Sequence, residues 1–163
     1  MKLDRVAVLD WSAAKGPRRG RDSIWLGIAG PQGVSTENLP TRSAAEARLQ
    51  SLVAEGGQLL IGADFAFGYP TGFARQIAGG GALALWDWLA SRVTELPGNA
   101  STYRTVAAEM NRTFGGGGSP FWGNGEKAPT PDLPRLRPPL PEGLAAHRAT
   151  EAVVEGPARP KTV

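Results

Sequence analysis

The sequence contains no cysteine and only one histidine, His147. The absence of cysteine excludes disulfide bonds, thiolate zinc sites and cysteine nucleophiles. With a single histidine, we expect neither a Ser-His-Asp catalytic site nor a metal site built from several histidines. A metal site in this chain would therefore draw mainly on oxygen ligands.

Long apolar runs are also missing. No segment approaches the about 20 apolar residues that a helix needs to cross a bilayer. Asp4 and Arg5 interrupt the N-terminus before the apolar core of a signal peptide could form. We therefore expect no membrane association and a cytoplasmic location.

The net charge is moderately positive, +3 at pH 7 with a pI near 9.7. This charge is compatible with a phosphate-bearing ligand or nucleic acid as partner, but it does not require one. A merely soluble surface is the alternative. Neither charge nor composition predicts an oligomeric state.

Glycine and proline are abundant, with 22 and 14 residues, and they are unevenly distributed. Residues 1–114 show the patterns of ordered elements and are predicted to form the core. Residues 115–142 are dominated by glycine and proline, with too little apolar surface to order themselves, so they are predicted to be flexible. Residues 143–163 are predicted to form a short helix, over 143–154, and a tail.

Apolar runs predict three strands at the start of the chain. The run Val6–Leu9 ends at Asp10 and is typical of a strand that is buried on both faces. Residues 23–29 and 34–39 predict the second and third strands of an N-terminal meander. Trp25, in the second of these strands, is expected to lie in the core.

A helix and a fourth strand follow. Residues 43–46 (SAAE) match a capping box, which predicts a helix that starts there. The apolar run 59–63 predicts a fourth strand that ends at Asp64. Because such crossovers are right-handed and short, this strand should lie beside the first strand and parallel to it. Three helices are then predicted, over residues 71–78, 82–95 and 101–113, with Trp86 and Trp88 in the core.

Asp10 and Asp64 are each the first polar residue after a buried strand. The carboxyl ends of neighbouring parallel strands, about 4.8 Å apart, form the edge where open α/β sheets bind ligands. Two carboxylates this close repel, so a proton or a cation must compensate their charge. Oxygen ligands favour Mg²⁺ or Mn²⁺, and such an ion can activate water and neutralise phosphate charge. The alternative is that each aspartate only caps a turn.

Other charged residues are candidates for supporting roles. Lys15, Arg18 and Arg19 follow Asp10 in a polar loop and are predicted to hold a phosphate beside the metal. The alternative is an ordinary solvated hairpin loop. Glu109, on the helix predicted over 101–113, is a candidate third acidic ligand, and a surface glutamate is the alternative.

The segments around the two aspartates resemble a ribonuclease H-like domain family of unknown function. Its members carry an aspartate that ends the first strand and an Asp-x-x-x-Gly-x-Pro turn after the fourth. The matching segments are residues 10–12 (DWS), 64–70 (DFAFGYP), 85–89 (LWDWL), 107–111 (AAEMN) and 120–123 (PFWG). The resemblance spans most of residues 6–123.

This resemblance implies an α/β fold with a mixed sheet: a meander of three strands, a helix and a parallel fourth strand, followed by helices. Active members of the superfamily use carboxylates on two metal ions to cut or transfer phosphodiesters, and Asp10 and Asp64 match the first-strand and fourth-strand acids. The fold normally continues with a fifth strand and a last helix that carry further acids. No apolar strand follows Asp64, and similar proteins continue beyond a segment like residues 160–163 (PKTV). We therefore expect this chain to be the N-terminal portion of a longer protein.

Three functional hypotheses follow, and whether the chain is an enzyme stays open. The first is a Mg²⁺- or Mn²⁺-dependent phosphodiesterase or nuclease with Asp10, Asp64 and Glu109 as its catalytic residues. The second is a non-catalytic nucleotide or nucleic-acid binding protein of the same fold. The third is a role in molybdopterin guanine dinucleotide synthesis, a label that some similar sequences carry. The chain lacks a nucleotidyltransferase-type glycine-rich loop after the first strand, which disfavours the third.

Overall fold

A computed structural model describes residues 2–12, 14–115, 118–123, 125, 130 and 132–152. Residues 153–163 lie outside this range, and with them the end of the last predicted helix and the segment 160–163. The strands are β1 (Arg5–Asp10), β2 (Ile24–Gly30), β3 (Gly33–Leu39) and β4 (Leu59–Ala63). The helices are α1 (Arg42–Ala54), α2 (Phe73–Ala78), α3 (Ala82–Ala90), α4 (Tyr103–Thr113) and α5 (Ala149–Ala152), with a 3₁₀ turn at Pro97–Asn99.

The chain packs as two compact units. The first consists of Met1–Phe65 and Glu95–Ala100, and the second of Ala66–Thr94 and Ser101–Val163. All four strands and α1 belong to the first unit, and the remaining α-helices belong to the second. In the described part of the chain, no helix is long and apolar enough to span a bilayer.

The sheet of the first unit is mixed, with the strand order β3-β2-β1-β4. β2 runs antiparallel to both β1 and β3, whereas β4 runs parallel to β1. The predicted α/β class is therefore confirmed, and so is the position of the fourth strand beside the first. The α1 crossover produces this arrangement, since it returns the chain to the end of the sheet at which β1 began.

Helix α1 covers one face of this sheet, which we call the closed face. Its core consists of buried residues from β1, β2 and α1: Ala7, Leu9, Ile24, Leu26, Ala45 and Leu52. Side chains alternate between the two faces of a strand, so every second residue of β1 and β2 points to α1. Removal of these apolar side chains from water is the main stabilising term of the first unit.

The start of α1 differs from the prediction. The helix begins at Arg42, and the hydroxyl of Thr41 accepts a hydrogen bond from the Ala44 amide at 3.1 Å. The Asn99 side chain accepts a second one from the Arg42 amide at 2.7 Å. The capping box predicted at residues 43–46 is thus wrong, because the N-cap is Thr41, two residues before Ser43, and Thr41 and Asn99 already satisfy the first amides.

The other face of the sheet, which we call the open face, differs from the prediction too. Val8 is 56% exposed and Leu60 is 50% exposed, so β1 is not buried on both faces. Trp25 is 39% exposed and is not a core residue. The reason is the position of α1, which packs its apolar residues against the closed face.

The second unit is a helical cluster around four buried residues: Phe73, Leu85, Val106 and Met110. The helix predicted over 82–95 ends at Ala90, because Thr94 and Thr102 exchange hydrogen bonds that turn the chain away from the helix axis. Trp86 is 41% exposed, so its predicted core position is wrong. Trp88 is half-buried against the cluster.

Buried Asn111 on α4 organises the chain that follows it. Its side-chain amide donates to the carbonyls of Phe121, at 3.0 Å, and Asp132, at 2.6 Å, and its oxygen accepts from the Phe121 amide. Leu133 is buried in the same region. These contacts fix part of the segment 115–142, whose predicted flexibility stays a prediction.

Candidate functional site

The two aspartates lie side by side at the carboxyl edge of the sheet. In the parallel β1–β4 pair, Leu9 is the partner of Ala63, and the Asp64 amide continues the ladder with a 3.1 Å hydrogen bond to the Leu9 carbonyl. Asp10 and Asp64 therefore occupy the next position of the same register. Because residues paired across a ladder share a face, both side chains belong to the open face.

The two carboxyl groups interact directly. A side-chain hydrogen bond with Asp64, together with partial loss of solvation and repulsion by its charge, raises the pKa of Asp10 above its ordinary value. The Asp64 carboxylate also accepts a 2.8 Å hydrogen bond from the Trp11 amide, which fixes its orientation beside Asp10. The two side chains therefore meet at the carboxyl edge of the open face.

An aromatic residue follows each aspartate. Trp11 and Phe65 pack edge to face with ring centroids 5.5 Å apart. They line an apolar cavity of about 480 Å³ together with Leu9, Leu49 and Val53. Trp11 also packs against the closed-face core. These contacts lie on the closed face, and from there they hold the backbone that carries the two carboxylates of the open face.

The row of residues that contains the aspartates continues across the sheet. Asp10 is the partner of Trp25 on β2, and Trp25 is the partner of Asn38 on β3. The order along the carboxyl edge of the open face is therefore Asn38, Trp25, Asp10, Asp64. Sequence reasoning missed Trp25 and Asn38 as site residues, because no local motif marks either of them.

Asn38 anchors the loop that carries the basic residues. Its side-chain oxygen accepts from the Gly20 amide at 2.7 Å. Its amide group donates to the Ser23 hydroxyl at 2.7 Å and to the Ile24 carbonyl at 2.9 Å. Three hydrogen bonds from one side chain thus connect the end of β3 to the loop and to the start of β2.

The basic loop is exposed and lies at the β3 end of the edge. The Arg19 guanidinium donates to the Asn38 carbonyl at 2.6 Å, and the Arg18 amide donates to the Pro40 carbonyl at 2.9 Å. Arg18 also forms a 3.7 Å ion pair with Asp22. Asn38 is two strand spacings, about 10 Å, from Asp10. Arg19 therefore lies further from the aspartates than a residue that holds the same phosphate would.

Lys15, the third predicted phosphate ligand, is exposed in the same loop. Its role, like those of Arg18 and Arg19, stays a prediction. The loop carries four cations, Lys15, Arg18, Arg19 and Arg21, against one acid, Asp22. Its net positive charge would attract an anionic ligand toward this end of the edge.

Glu109 belongs to α4 in the second unit. Its carboxylate accepts a 2.9 Å hydrogen bond from Arg92, whose guanidinium also lies 4.1 Å from the centre of the Trp88 ring. Glu109 thus has an ion-pair partner of its own, and its role as a third ligand stays a prediction. Within the described ranges, no group of three or more acidic or histidine side chains could share a metal ion.

We compared the chain with protein-family models, curated proteins and solved structures, and none of them matches it. The resemblance to the ribonuclease H-like family, which is based on five segments of the sequence, therefore stays a prediction. A functional assignment has to come from the chemistry of the carboxyl edge itself.

Proposed function

We propose that this chain has a ribonuclease H-like fold and supplies the first two metal ligands of a Mg²⁺- or Mn²⁺-dependent phosphodiester hydrolase. The observation that carries the proposal is the contact between Asp10 and Asp64 at the carboxyl ends of two parallel strands. The mixed strand order and the α1 crossover are compatible with that fold.

The donor set at this edge suits a hard divalent cation. Mg²⁺ is commonly held by one or two carboxylates and keeps several of its water molecules. A solvent-exposed pair of carboxylates can bind such a cation without burying charge. A bound ion would supply activated water and neutralise the charge of a phosphodiester.

The residues around the pair have distinct supporting roles in this proposal. The Trp11 amide orients the Asp64 carboxylate, and the Asp10 carboxylate beside it would be the second ligand of the cation. The Asn38 hydrogen bonds hold the basic loop, so that Arg19 can attract a second phosphate of the ligand. Each of these roles belongs to a side chain or amide of the first unit.

Calorimetric titration with Mg²⁺ and Mn²⁺ tests the metal site. We expect saturable heat for the wild type and at least tenfold weaker binding for Asp10→Asn and Asp64→Asn, because each variant removes a charged ligand. Asp4→Asn is the matched control, since Asp4 accepts a hydrogen bond from the Gln58 amide at the opposite ends of the same two strands. Equal heats for wild type and Asp10→Asn would remove Asp10 from the site.

A non-catalytic binding protein of the same fold is the second candidate. The observation that favours it is that the described residues bring together two carboxylates and no third. Hydrolysis of bis(p-nitrophenyl) phosphate with Mn²⁺ separates the two candidates. Metal-dependent turnover that Asp10→Asn abolishes supports the hydrolase, whereas metal binding without turnover supports the binding protein.

A further inference from the structure

Trp25 lies on the open face beside the aspartate pair. It is the cross-strand partner of Asp10, and its indole ring is 39% exposed. Directly opposed residues of an antiparallel pair have Cβ atoms about 5 Å apart. The ring therefore lies close enough to Asp10 for one small ligand to contact both.

The Trp25 ring is held in place. Its indole N–H donates to the Gly20 carbonyl at 3.1 Å, and the Gly20 amide donates to Asn38. Ser23, which is buried, donates to the same carbonyl. The Gly20 backbone thus holds both the indole ring and the basic loop. A ligand that contacts them would therefore bind groups that are ordered before it arrives.

Two glycines lie near Trp25 on the open face. Gly27 follows it by two residues on β2, and Gly62 occupies the corresponding row on β4, with Val8 between them. A methyl group added at Gly62 would meet no atom within 4 Å, and one at Gly27 would meet only the Val8 carbonyl at 3.9 Å. A planar group can therefore lie over the indole without a steric obstacle from these positions.

The charges along the edge have an order that a nucleic-acid strand matches. The net positive loop lies at the β3 end, Trp25 lies in the middle, and the aspartates lie at the β4 end. A strand with one phosphate at the aspartates would have a base near Trp25 and a further phosphate toward Arg19. The base then meets the Trp25 indole and the further phosphate meets the Arg19 guanidinium, whereas the phosphate at the aspartates needs the metal ion of the proposed function between them.

We propose that Trp25 is a stacking platform for an unpaired base of a single-stranded nucleic acid, with Arg19 as the ligand of a neighbouring phosphate. This inference rests on the proposed function, since the scissile phosphate is assigned to the Asp10–Asp64 pair. A single strand is favoured over a duplex because a base must be unstacked from its own helix to lie on the indole.

The test compares two labelled strands of equal length and charge. One is oligothymidylate of about eight nucleotides, and the other is its abasic counterpart, because stacking is worth enough per base to change affinity about tenfold. Fluorescence anisotropy in EDTA prevents metal binding and hydrolysis, so the comparison reports on the base at Trp25 and not on the phosphate assigned to the Asp10–Asp64 pair. We expect wild type to bind the thymidylate about tenfold more tightly, and Trp25→Leu to bind both strands equally.

Two further variants make the result specific. Trp25→Phe keeps an aromatic face and should retain part of the preference, which a merely structural role for Trp25 would not explain. Trp86→Leu changes a tryptophan of similar exposure in the second unit and should leave the preference intact. Circular dichroism establishes that each variant is folded.

Several outcomes would overturn the base site. These are equal wild-type binding of the two strands, a preference that survives in Trp25→Leu, or tighter binding of the oligothymidylate after it is paired with oligoadenylate of the same length. A parallel titration with oligouridylate of the same length shows whether the strand is RNA or DNA, and base-dependent binding of either supports the proposal. The metal titration reports on the aspartates alone, so a failed hydrolase and a failed base site give different results.

Discussion

The two faces of the sheet in the first unit are formed by the same strands but differ in how far their side chains are buried. On the closed face, Leu9 and Leu26 are almost fully buried under α1. On the open face, Val8 and Leu60 are half exposed, and Asp10 and Asp64 meet at the carboxyl edge. The comparison teaches that one face supplies stability while the other carries the polar and aromatic groups that can meet a ligand.

The difference between the faces also explains where the chemistry lies. A carboxylate pair on the closed face would have to be buried, which costs several kcal/mol per charge. On the open face the same pair keeps water on one side and stays accessible to a cation. The alternation of a strand allows both situations within neighbouring residues such as Leu9 and Asp10.

Truncation of one apolar residue on each face gives the largest expected contrast. Leu26→Ala should lower the free energy of unfolding by about 2–5 kcal/mol, because it leaves a cavity in the closed-face core. Val8→Ala, on the exposed side of the neighbouring strand, should cost less than about 1 kcal/mol. Urea unfolding measures both, and similar losses would contradict the assignment of the two faces.

Asn38→Ala should have an intermediate effect, at the border of the open face. It removes three hydrogen bonds, to Gly20, to Ser23 and to the Ile24 carbonyl at the start of β2, and a loss of about 1–3 kcal/mol is expected because part-buried groups remain unpaired. Hydrogen exchange should show faster exchange of the Gly20 amide. Asn38→Asp keeps an acceptor for the Gly20 amide, so that amide should exchange more slowly in Asn38→Asp than in Asn38→Ala. Equal exchange rates in the two variants would argue that the Asn38 side chain does not hold the loop.

Removal of the Asp64 carboxylate is expected to have the smallest and most local effect, a change in the titration of Asp10. Asp64→Asn should lower the pKa of Asp10, because the charge and the hydrogen bond that raise it are lost. Carbon-13 NMR of the Asp10 carboxyl in metal-free protein measures this, with Asp4→Asn as the control. An unchanged Asp10 titration would show that the two side chains do not meet.

The Asp10–Asp64 pair also predicts how the free energy of unfolding changes with pH. Since the folded pKa of Asp10 lies above the unfolded value, its contribution to stability is present below the unfolded pKa. That contribution is lost as the pH rises through the raised folded pKa. In Asp64→Asn this loss between the unfolded pKa and the raised folded pKa of Asp10 should disappear, which unfolding experiments at several pH values can measure.

The aspartate pair was predictable because two independent rules converge on it. Each acid is the first polar residue after an apolar strand, and the crossover rule places those strands side by side. Trp25 could not be assigned in the same way. Its strand is apolar on both faces, and nothing local shows which face α1 covers. The role of Asn38 could not be predicted either, because its side chain forms hydrogen bonds with residues that are 14 to 18 positions away in the sequence.

By itself, the sequence determined the α/β class, the parallel return of the fourth strand and the meeting of Asp10 with Asp64, since periodicity and chain direction are local properties. Only the tertiary structure decided that one sheet face stays open, that Trp25 is presented there and that Asn38 holds the basic loop. Those features depend on which face a distant helix packs against, and side-chain packing between distant segments has no signature in a single stretch of residues.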